Sequence, residues 1–318
     1  MAVILRLICL LFASAAAFGA STNDYFTNRI VLFGTLPSGT GNLTGATVEP
    51  GEPHSYNSSL WWEWTPNYEG GISVSTVGNS IYPAALVYSG EWPNLTLVSS
   101  PRPSSLFIQP TPVSFYALSN TTYYLAVAAN TNFTTGAVAI RTGSAPAADS
   151  FSRANPIIGT NVSSTQSLRG TTIEPGEISS STNVVGTLWH RWTNTFASRY
   201  VIQGVSSSGP LNLAVYSGDS VTNLTRLASA ENTSILGGAR VVLDLEPATY
   251  YIAIEDLGFQ STATFSIRLV PYNDDFADRA VLPSDPDVFS SVPFLGATRE
   301  AGEPGSTNGS VWWEWTAP

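Results

Sequence analysis

A segment that occurs three times constrains the fold of this chain more than any other feature. Its first copy reads LTGATVEPGEPHSYNSSLWWEWTP, and the copies begin at Leu43, Leu168 and Leu295. Between the shared glutamates Glu49, Glu174 and Glu300 the spacing is 125 and then 126 residues. Repeats whose units cannot fold alone have shorter periods, of about 20 to 50 residues. The sequence therefore predicts whole domains in tandem, each with its own hydrophobic core.

The repeat also sets the expected domain boundaries. Two complete copies are predicted at residues 21–143 and 149–270, and residues 273–318 hold the beginning of a third. Both linkers are short, so neighbouring domains should keep a limited range of orientations. The third copy, at about 45 residues, is too short to bury a sufficient core by itself. We therefore expect this chain to be the front part of a longer protein.

The first 20 residues have the pattern of a secretory signal peptide. They carry one early positive charge, an apolar stretch and small residues before Ser21. No later segment approaches 18 uninterrupted apolar residues, so no membrane insertion is expected after the signal is removed. Cys9, the only cysteine, lies inside the signal, which leaves the mature chain without disulfides or thiolate sites. We expect the protein to be extracellular or at the cell surface.

The charge of the chain excludes some classes of partner. The net charge is −10, and charged residues are 11% of the chain. Nucleic acids and anionic membranes both require clusters of Lys or Arg, and none occurs here. The expected partners are small cations and an extracellular protein or polysaccharide.

Short alternating apolar runs, closed by Gly, Pro, Asn or Ser, follow one another from Ser21 onward. Clear examples are the runs that begin at Leu211, Ala239, Thr249 and Thr262. No stretch has a helical period. The pattern predicts an all-β chain of antiparallel, jelly-roll-like β-sandwich domains, two complete and a third truncated, but it does not define the strand order.

Each copy contains a pair of acids around a predicted turn. In Glu49-Pro50-Gly51-Glu52, proline suits the first turn position and glycine the positive φ of the second, which is typical of a type II turn. The two carboxylates are therefore close together. Three roles are open to these carboxylates. They face water, they bind calcium together with an acid at the domain start, or they act as a general acid and a general base. Repetition in every domain argues against catalysis, since active sites are seldom triplicated along one chain.

The strand after the turn carries several tryptophans. Trp61 and Glu63 point to one face, and Trp62 and Trp64 to the other. The favoured interpretation is packing, with an inner Trp in the core and an outer Trp covered by a loop. The alternative is stacking on a sugar, which makes Trp62 and Trp64 candidate ligand-binding residues. Because Glu63 is replaced by Arg191 in the second copy, that position should lie at the surface.

Motifs of known enzymes are absent from the sequence. His54 and His190 are the only histidines and occupy different places in their copies, so neither belongs to a repeated site. No nucleophile elbow, zinc-protease motif or phosphate-binding glycine loop occurs. We expect no catalytic activity from this segment.

Taken together, the motifs resemble the bacterial pre-peptidase C-terminal repeat, which occurs in tandem in large secreted proteins. The resemblance rests on NDYF at Asn23, GATVEPGEP at Gly45, SLWWEWT at Ser59, LVYSG at Leu86 and YYLAV at Tyr123. It implies a non-catalytic, jelly-roll-like β-sandwich. It also implies a calcium site at the domain start, with Asn23, Asp24, Glu49 and Glu52 as candidate ligands in the first domain and Asp149, Glu174 and Glu177 in the second.

The sequence thus leads to two functional hypotheses. In the first, the domains are spacer, adhesion or binding modules of a secreted or cell-surface protein, with calcium as a stabilising ion. In the second, they are the non-catalytic front part of a secreted peptidase or glycosidase.

Overall fold

The structure is a computed structural model that describes residues 21–78, 83–101, 112–130, 136–207, 209–231, 238–258, 262–292, 294, 296–304 and 309–318. The predicted signal peptide, residues 1–20, lies outside the described residues. Within them, helical structure is limited to 3-10 turns, and no helix has the length and apolar character needed to cross a membrane. The turns are Phe26–Asn28, Ala147–Asp149, Phe151–Arg153, Val221–Asn223 and Phe276–Asp278.

The first nine strands form two sheets that enclose one core. The order is β1-β3-β8-β5-β6 in the five-stranded sheet and β2-β9-β4-β7 in the four-stranded sheet. The strands are β1 Ile30–Leu32, β2 Ser38–Asn42, β3 Ser58–Trp64, β4 Gly70–Gly78, β5 Ala84–Glu91, β6 Asn94–Ser99, β7 Val113–Ala117, β8 Tyr123–Ala129 and β9 Ala137–Ser144.

The next nine strands repeat this topology. The orders are β10-β12-β17-β14-β15 and β11-β18-β13-β16, which match the first domain strand for strand. The strands are β10 Asn155–Ile157, β11 Val162–Ser167, β12 Gly186–Thr193, β13 Ser198–Ser206, β14 Leu211–Ser217, β15 Thr225–Glu231, β16 Gly238–Leu245, β17 Thr249–Asp256 and β18 Thr262–Leu269. The prediction of an all-β chain of sandwich domains is confirmed.

One strand pair in each domain is parallel, which the expectation of antiparallel sheets did not include. Strand β1 lies parallel to β3, with Ile30 opposite Trp62, and β10 lies parallel to β12. The third copy has the same pair, β19 Ala280–Val281 and β20 Trp313–Glu314. Parallel neighbours need a crossover connection. Here β2 provides it, because the chain passes through the opposite sheet between β1 and β3.

The core of each domain lies between its two sheets. In the first domain the buried residues come from both sheets, with Leu60, Trp62 and Leu125 on one side and Ile72 and Ile140 on the other. The second domain has an equivalent core around Leu188, Trp192, Ile202, Ile252 and Phe265. Side chains that alternate inward from two facing sheets form a single apolar layer.

The outer face of the five-stranded sheet is also buried, and we call its residues the outer cluster. In the first domain the outer cluster contains Phe26, Trp61, Leu86, Tyr88 and Leu95, with Trp92 packed against it. Trp61 is fully buried there, so the prediction of a covered outer Trp is confirmed. The cover is the start of the domain and the turn that precedes β3.

Replacing Trp62 with Ala should lower the free energy of unfolding by about 3 to 5 kcal/mol, because a fully buried indole is removed and a cavity is left. Chemical denaturation of the variant measures this. Phe33→Ala is the control, since that ring is 84% exposed and its loss should change the free energy by less than about 0.5 kcal/mol. Equal effects of the two variants would contradict the assignment of the core.

Candidate functional site

The Glu49–Glu52 segment forms the turn that its sequence predicts. The backbone N–H of Glu52 donates to the carbonyl of Glu49 at 3.3 Å, and Gly51 has a φ of 103°. A side chain at that φ would be strained, which explains the glycine. The turns at Gly176 and Gly302 have the same positive φ, 86° and 96°.

The fold brings the domain start to this turn, a proximity that spacing alone did not reveal. Asp24 Oδ1 accepts the backbone N–H of Thr47 at 2.7 Å, and its Oδ2 accepts the Thr47 hydroxyl at 3.0 Å. Glu49 Oε2 accepts the backbone N–H of Phe26 at 2.8 Å. The two segments therefore exchange hydrogen bonds in both directions, with a carboxylate acceptor each time, and such bonds are the stronger kind.

Glu52 points inward from the same turn. One oxygen accepts the hydroxyl of Ser59 at 2.8 Å and the other accepts Trp61 Nε1 at 3.2 Å. His54 Nε2 lies 2.9 Å from Glu52 Oε2. Burial alone raises the pKa of Glu52, but the contact with His54 and the hydrogen bonds outweigh it and hold the pKa below its ordinary value. Glu52 is thus an ionised acceptor beneath the turn.

Asn23 makes contacts of another kind. Its side-chain Nδ2 donates to the backbone carbonyl of Trp61 at 3.1 Å, and its backbone carbonyl accepts the backbone N–H of Trp61 at 2.9 Å. Asn273 does the same with Trp312. The side chain therefore joins the domain start to the strand after the turn. The second domain has Ala148 at this position and lacks the amide.

We call the aspartate of the domain start and the two glutamates of the turn the acidic cluster. It recurs in the other copies. In the second domain, Asp149 accepts both the N–H and the hydroxyl of Thr172, and Glu174 Oε2 accepts the N–H of Phe151 at 2.7 Å. The corresponding residues of the third copy are Asp274, Thr298, Glu300 and Phe276.

The threonine partner was missed in the sequence. Thr47, Thr172 and Thr298 stand two residues before the first glutamate in every copy, as the GAT of GATVEPGE and its equivalents. Recurrence at a fixed distance from the acids was the available signal. Threonine supplies both a backbone N–H and a hydroxyl to one carboxylate in this geometry, as only serine otherwise could, which fits its presence in all three copies.

The cluster of the second domain lacks hydrogen bonds that the first domain makes at the equivalent positions, and beside the cluster of the first domain the ring nitrogens of His54 lie outside hydrogen-bonding geometry. Three of its buried polar atoms find no partner at hydrogen-bonding geometry within the described residues, and they are Glu177 Oε1, Thr187 Oγ1 and Trp189 Nε1. Their counterparts in the first domain bind one another, as Glu52, Ser59 and Trp61. Unpaired buried polar atoms carry a desolvation cost. The two domains therefore share a framework but differ in how well it is satisfied.

Burial also changes the titration of this cluster. It raises the pKa of Asp149 to about 7 and that of Glu177 to about 7, and it raises the pKa of Glu174 as well. Repulsion among these acids adds to the effect, and Glu69 of the first domain contributes to the shift of Glu174. Asp149 and Glu177 therefore have pKa values near neutral pH, and the pKa of Glu174 is shifted in the same direction.

The donor set does not fit a calcium ion well. Calcium requires about six to eight oxygen ligands. In the first domain both oxygens of Asp24 and Glu52, and one of Glu49, already accept hydrogen bonds from protein donors. Among the residues that the structure describes, no group of three or more acids, histidines or cysteines is arranged to hold a metal. We derive no role for calcium, which stays an untested prediction of the resemblance.

The tryptophan candidates and both histidines lie inside the protein. Trp62 and Trp64 are fully buried in the core, so they have no surface to offer a sugar. The His54 side chain is 3% exposed and its ring lies 6.1 Å from that of Trp61, nearly parallel to it. His190 is buried in the other domain, and burial lowers its pKa to about 4. These positions indicate packing roles.

Comparisons with known proteins give only distant likenesses. No family model and no curated protein matches the chain. Among solved structures, it is similar to the pre-peptidase C-terminal domain of a collagenase from Bacillus anthracis, at 16% identity over 36% of this chain and 94% of that one, with a TM-score of 0.26. It is also similar to the CUB1-EGF-CUB2 domains of rat MASP-1, at 6% identity over 76% and 99%, with a TM-score of 0.22.

The collagenase domain belongs to the family that the sequence motifs resemble. TM-scores this low carry no argument about the function of this chain.

Replacing Asp24 with Asn should lower the free energy of unfolding by about 1 to 3 kcal/mol, because the amide turns a donor toward one of the two donors of Thr47. Urea denaturation measures the loss. Glu91→Gln, on an exposed side chain of the same domain, is the control and should be neutral. A loss as small as that of the control would show that Asp24 is dispensable.

The second domain should become less stable as the pH rises from about 4 to about 7, because the two raised acids outweigh His190, whose lowered pKa acts in the opposite direction. The raised pKa values of Asp149 and Glu177 mean that the folded domain keeps protons that the unfolded chain has lost in this range. Hydrogen exchange of second-domain amides across the range measures the slope. The double variant Asp149→Asn/Glu177→Gln should weaken or reverse it, since His190 remains, whereas the exposed Asp219→Asn should leave it unchanged.

A slope that survives in the double variant would refute this account. The series should be repeated with millimolar calcium and with excess chelator. Since a bound cation would keep the acids ionised, loss of the slope in calcium alone would be evidence for the ion.

Proposed function

We propose that this chain is a non-catalytic series of β-sandwich modules of a secreted or cell-surface protein. The modules act as spacers that hold neighbouring parts of the protein, or an extracellular partner, at a set distance. The observation that carries the proposal concerns the residues shared by the copies. They fasten each domain start to its own turn, in the second domain they also pack on the first domain, and they do not present reactive groups to solvent.

The joint between the first two domains supports a restricted arrangement. The backbone N–H of Ala145 in the linker donates to the carbonyl of Gly71 in β4 at 2.9 Å. A Cβ at Gly71 would lie 2.1 Å from Asp149 Oδ2 and 2.8 Å from Thr172 Oγ1. The acidic cluster of the second domain therefore packs directly on the strand of the first, and only glycine permits this approach.

The second domain ends on the same backbone contact as the first. The N–H of Val270 donates to the carbonyl of Arg199 at 3.0 Å, and Arg199 is the second residue of β13 as Gly71 is of β4. The Arg199 guanidinium also binds Asp275 at 2.7 Å. This ion pair is 42% exposed on the arginine side and contributes little by itself. The hydrogen bonds of Ala145 and Val270 continue the strand pairing of their own domains, so both linkers leave the sheet at the same place. The contacts across the joints are those of Gly71 with Asp149 and of Arg199 with Asp275.

The chemistry of the acidic clusters supports a structural role over an acid-base one. A general acid and base must reach a substrate, whereas the oxygens of Asp24, Glu49 and Glu52 bind donors of their own domain. The histidines are buried in different domains and cannot act together. These hydrogen bonds therefore stabilise the folded domain.

The second hypothesis, a non-catalytic portion of a secreted peptidase or glycosidase, is compatible with the same geometry. Spacer domains accompany catalytic domains as well as adhesive ones. The two hypotheses differ in the sequence that adjoins this one in the gene. Further copies of the repeat would favour a scaffold or adhesin, and a segment with a catalytic set of His and acids would favour an enzyme.

Spin labels at Thr96→Cys and Ser229→Cys, both exposed, should give a narrow interdomain distance distribution in pulsed electron paramagnetic resonance. Gly71→Ala should broaden or shift it, because the added methyl group displaces Asp149 and Thr172. Val77→Ala, at an exposed site on the same strand, is the matched control and should leave the distribution unchanged.

A distribution in the unmodified joint as broad as in Gly71→Ala would mean that the domains are loosely tethered. The spacer proposal would then be wrong.

A further inference from the structure

The outer cluster of the first domain has a cover made of two side chains. The rings of Phe26 and Tyr124 meet edge-on, with centroids 4.9 Å apart. Trp92, at the tip of the β5–β6 hairpin, stacks on Phe26 at 4.5 Å with an interplanar angle of 16°. The Arg29 guanidinium lies over both rings, at 4.6 and 5.2 Å, and pairs with Glu63 at 2.6 Å. An indole and a cation thus close this surface.

Both covering side chains are missing from the second domain. Counted from the shared glycines of the hairpin, Gly90 and Gly218, Ser220 stands where the first domain has Trp92, and the next residue, Val221, is the smaller side chain that packs on the outer cluster of the second domain. Three residues after Phe151 stands Ala154, where the first domain has Arg29 three residues after Phe26. The third copy keeps the arginine, with Arg279 over Phe276 at 4.9 Å. Of the three copies, only the second lacks the arginine at this position.

The consequence is an open depression of about 400 Å³ in the second domain. Phe151 and Tyr251 line one side, with ring centroids 4.2 Å apart, and Ser220 and Ala154 line the space left by the missing side chains. Phe151 is only 7% exposed against 4% for Phe26, so the depression lies beside the rings and does not expose their faces fully. Its volume falls in the range of about 300 to 1,000 Å³ that ligand sites occupy.

Charged groups stand at the edge of the depression. Glu174 lies on one side, with an oxygen held by the N–H of Phe151, and Arg191 lies where the first domain has Glu63. The exchange of Glu63 for Arg191 moves the positive charge from above the rings to the rim. The depression therefore joins an aromatic wall to an anion and a cation, which suits an amphipathic planar group.

We propose that this depression binds an aromatic side chain, Trp or Tyr, of a partner polypeptide, in the space that Trp92 fills in the first domain. The sister domain supplies the reason for this choice, because the same framework there holds an indole between the hairpin and the aromatic pair. A sugar ring is the competing ligand, and the test distinguishes the two. The proposal goes beyond the spacer role, since it assigns a partner site to one module of the series.

Saturation-transfer NMR with N-acetyltryptophanamide as the probe tests the site on the full chain. For so small a ligand we expect a dissociation constant on the order of 1 mM. Ser220→Trp should abolish the signal, because the new indole fills the depression from within. Ser229→Trp adds the same side chain at an exposed site of the same hairpin and should leave the signal unchanged.

A gain of binding provides the complementary test. In the Ser220→Trp background, the double substitution Trp92→Ser/Arg29→Ala removes both covers of the first domain and should restore binding of the probe there. Thermal unfolding establishes that each variant is folded. Equal signals from wild type and Ser220→Trp would overturn the proposal. So would binding of methyl glucosides, lost in Ser220→Trp, without binding of the tryptophan amide.

Discussion

A buried aspartate at the start of each domain, hydrogen-bonded to one threonine, is the interaction on which the rest of the structure depends. Burying a carboxylate is costly unless donors replace its water, and Thr47 supplies both an N–H and a hydroxyl to Asp24. Glu49 returns a hydrogen bond to the N–H of Phe26. With its first residues held in this way, the chain can lay a short parallel strand against β3 and cover Trp61, so both faces of the five-stranded sheet become buried.

The same interaction behaves differently according to what surrounds it. In the first domain Glu52 is paired with Ser59, Trp61 and His54, and its pKa is low. In the second domain the preceding module lies against Asp149, and the partners of Glu177 are less well placed, so burial dominates and the pKa values rise. The cluster of the second domain, packed against the first, thus differs in its electrostatics from that of the first domain. Equivalent acids in two copies of the repeat therefore have different pKa values.

Several parts of the site could be predicted from particular residues. Pro50 and Gly51 predicted the turn, because proline and glycine prefer the two backbone conformations it needs. The tryptophans that alternate around Glu63 predicted one inner and one covered outer face, and both were found. The threonine partners and the parallel first strand were not predicted. Each depends on a contact between segments about 20 to 35 residues apart, which local pattern does not encode.

By itself, the sequence determined the tandem organisation, the all-β class, the turn and its paired acids, because these follow from periodicity and from local backbone preferences. Only the tertiary structure decided what the acids do, since their role depends on which donors the fold brings to them. It also decided that Trp62 and Trp64 are core residues and that the second domain has an open depression. The depression arises because Ser220 and Ala154 are both small. They are distant in sequence, but both line the space beside the rings of Phe151 and Tyr251.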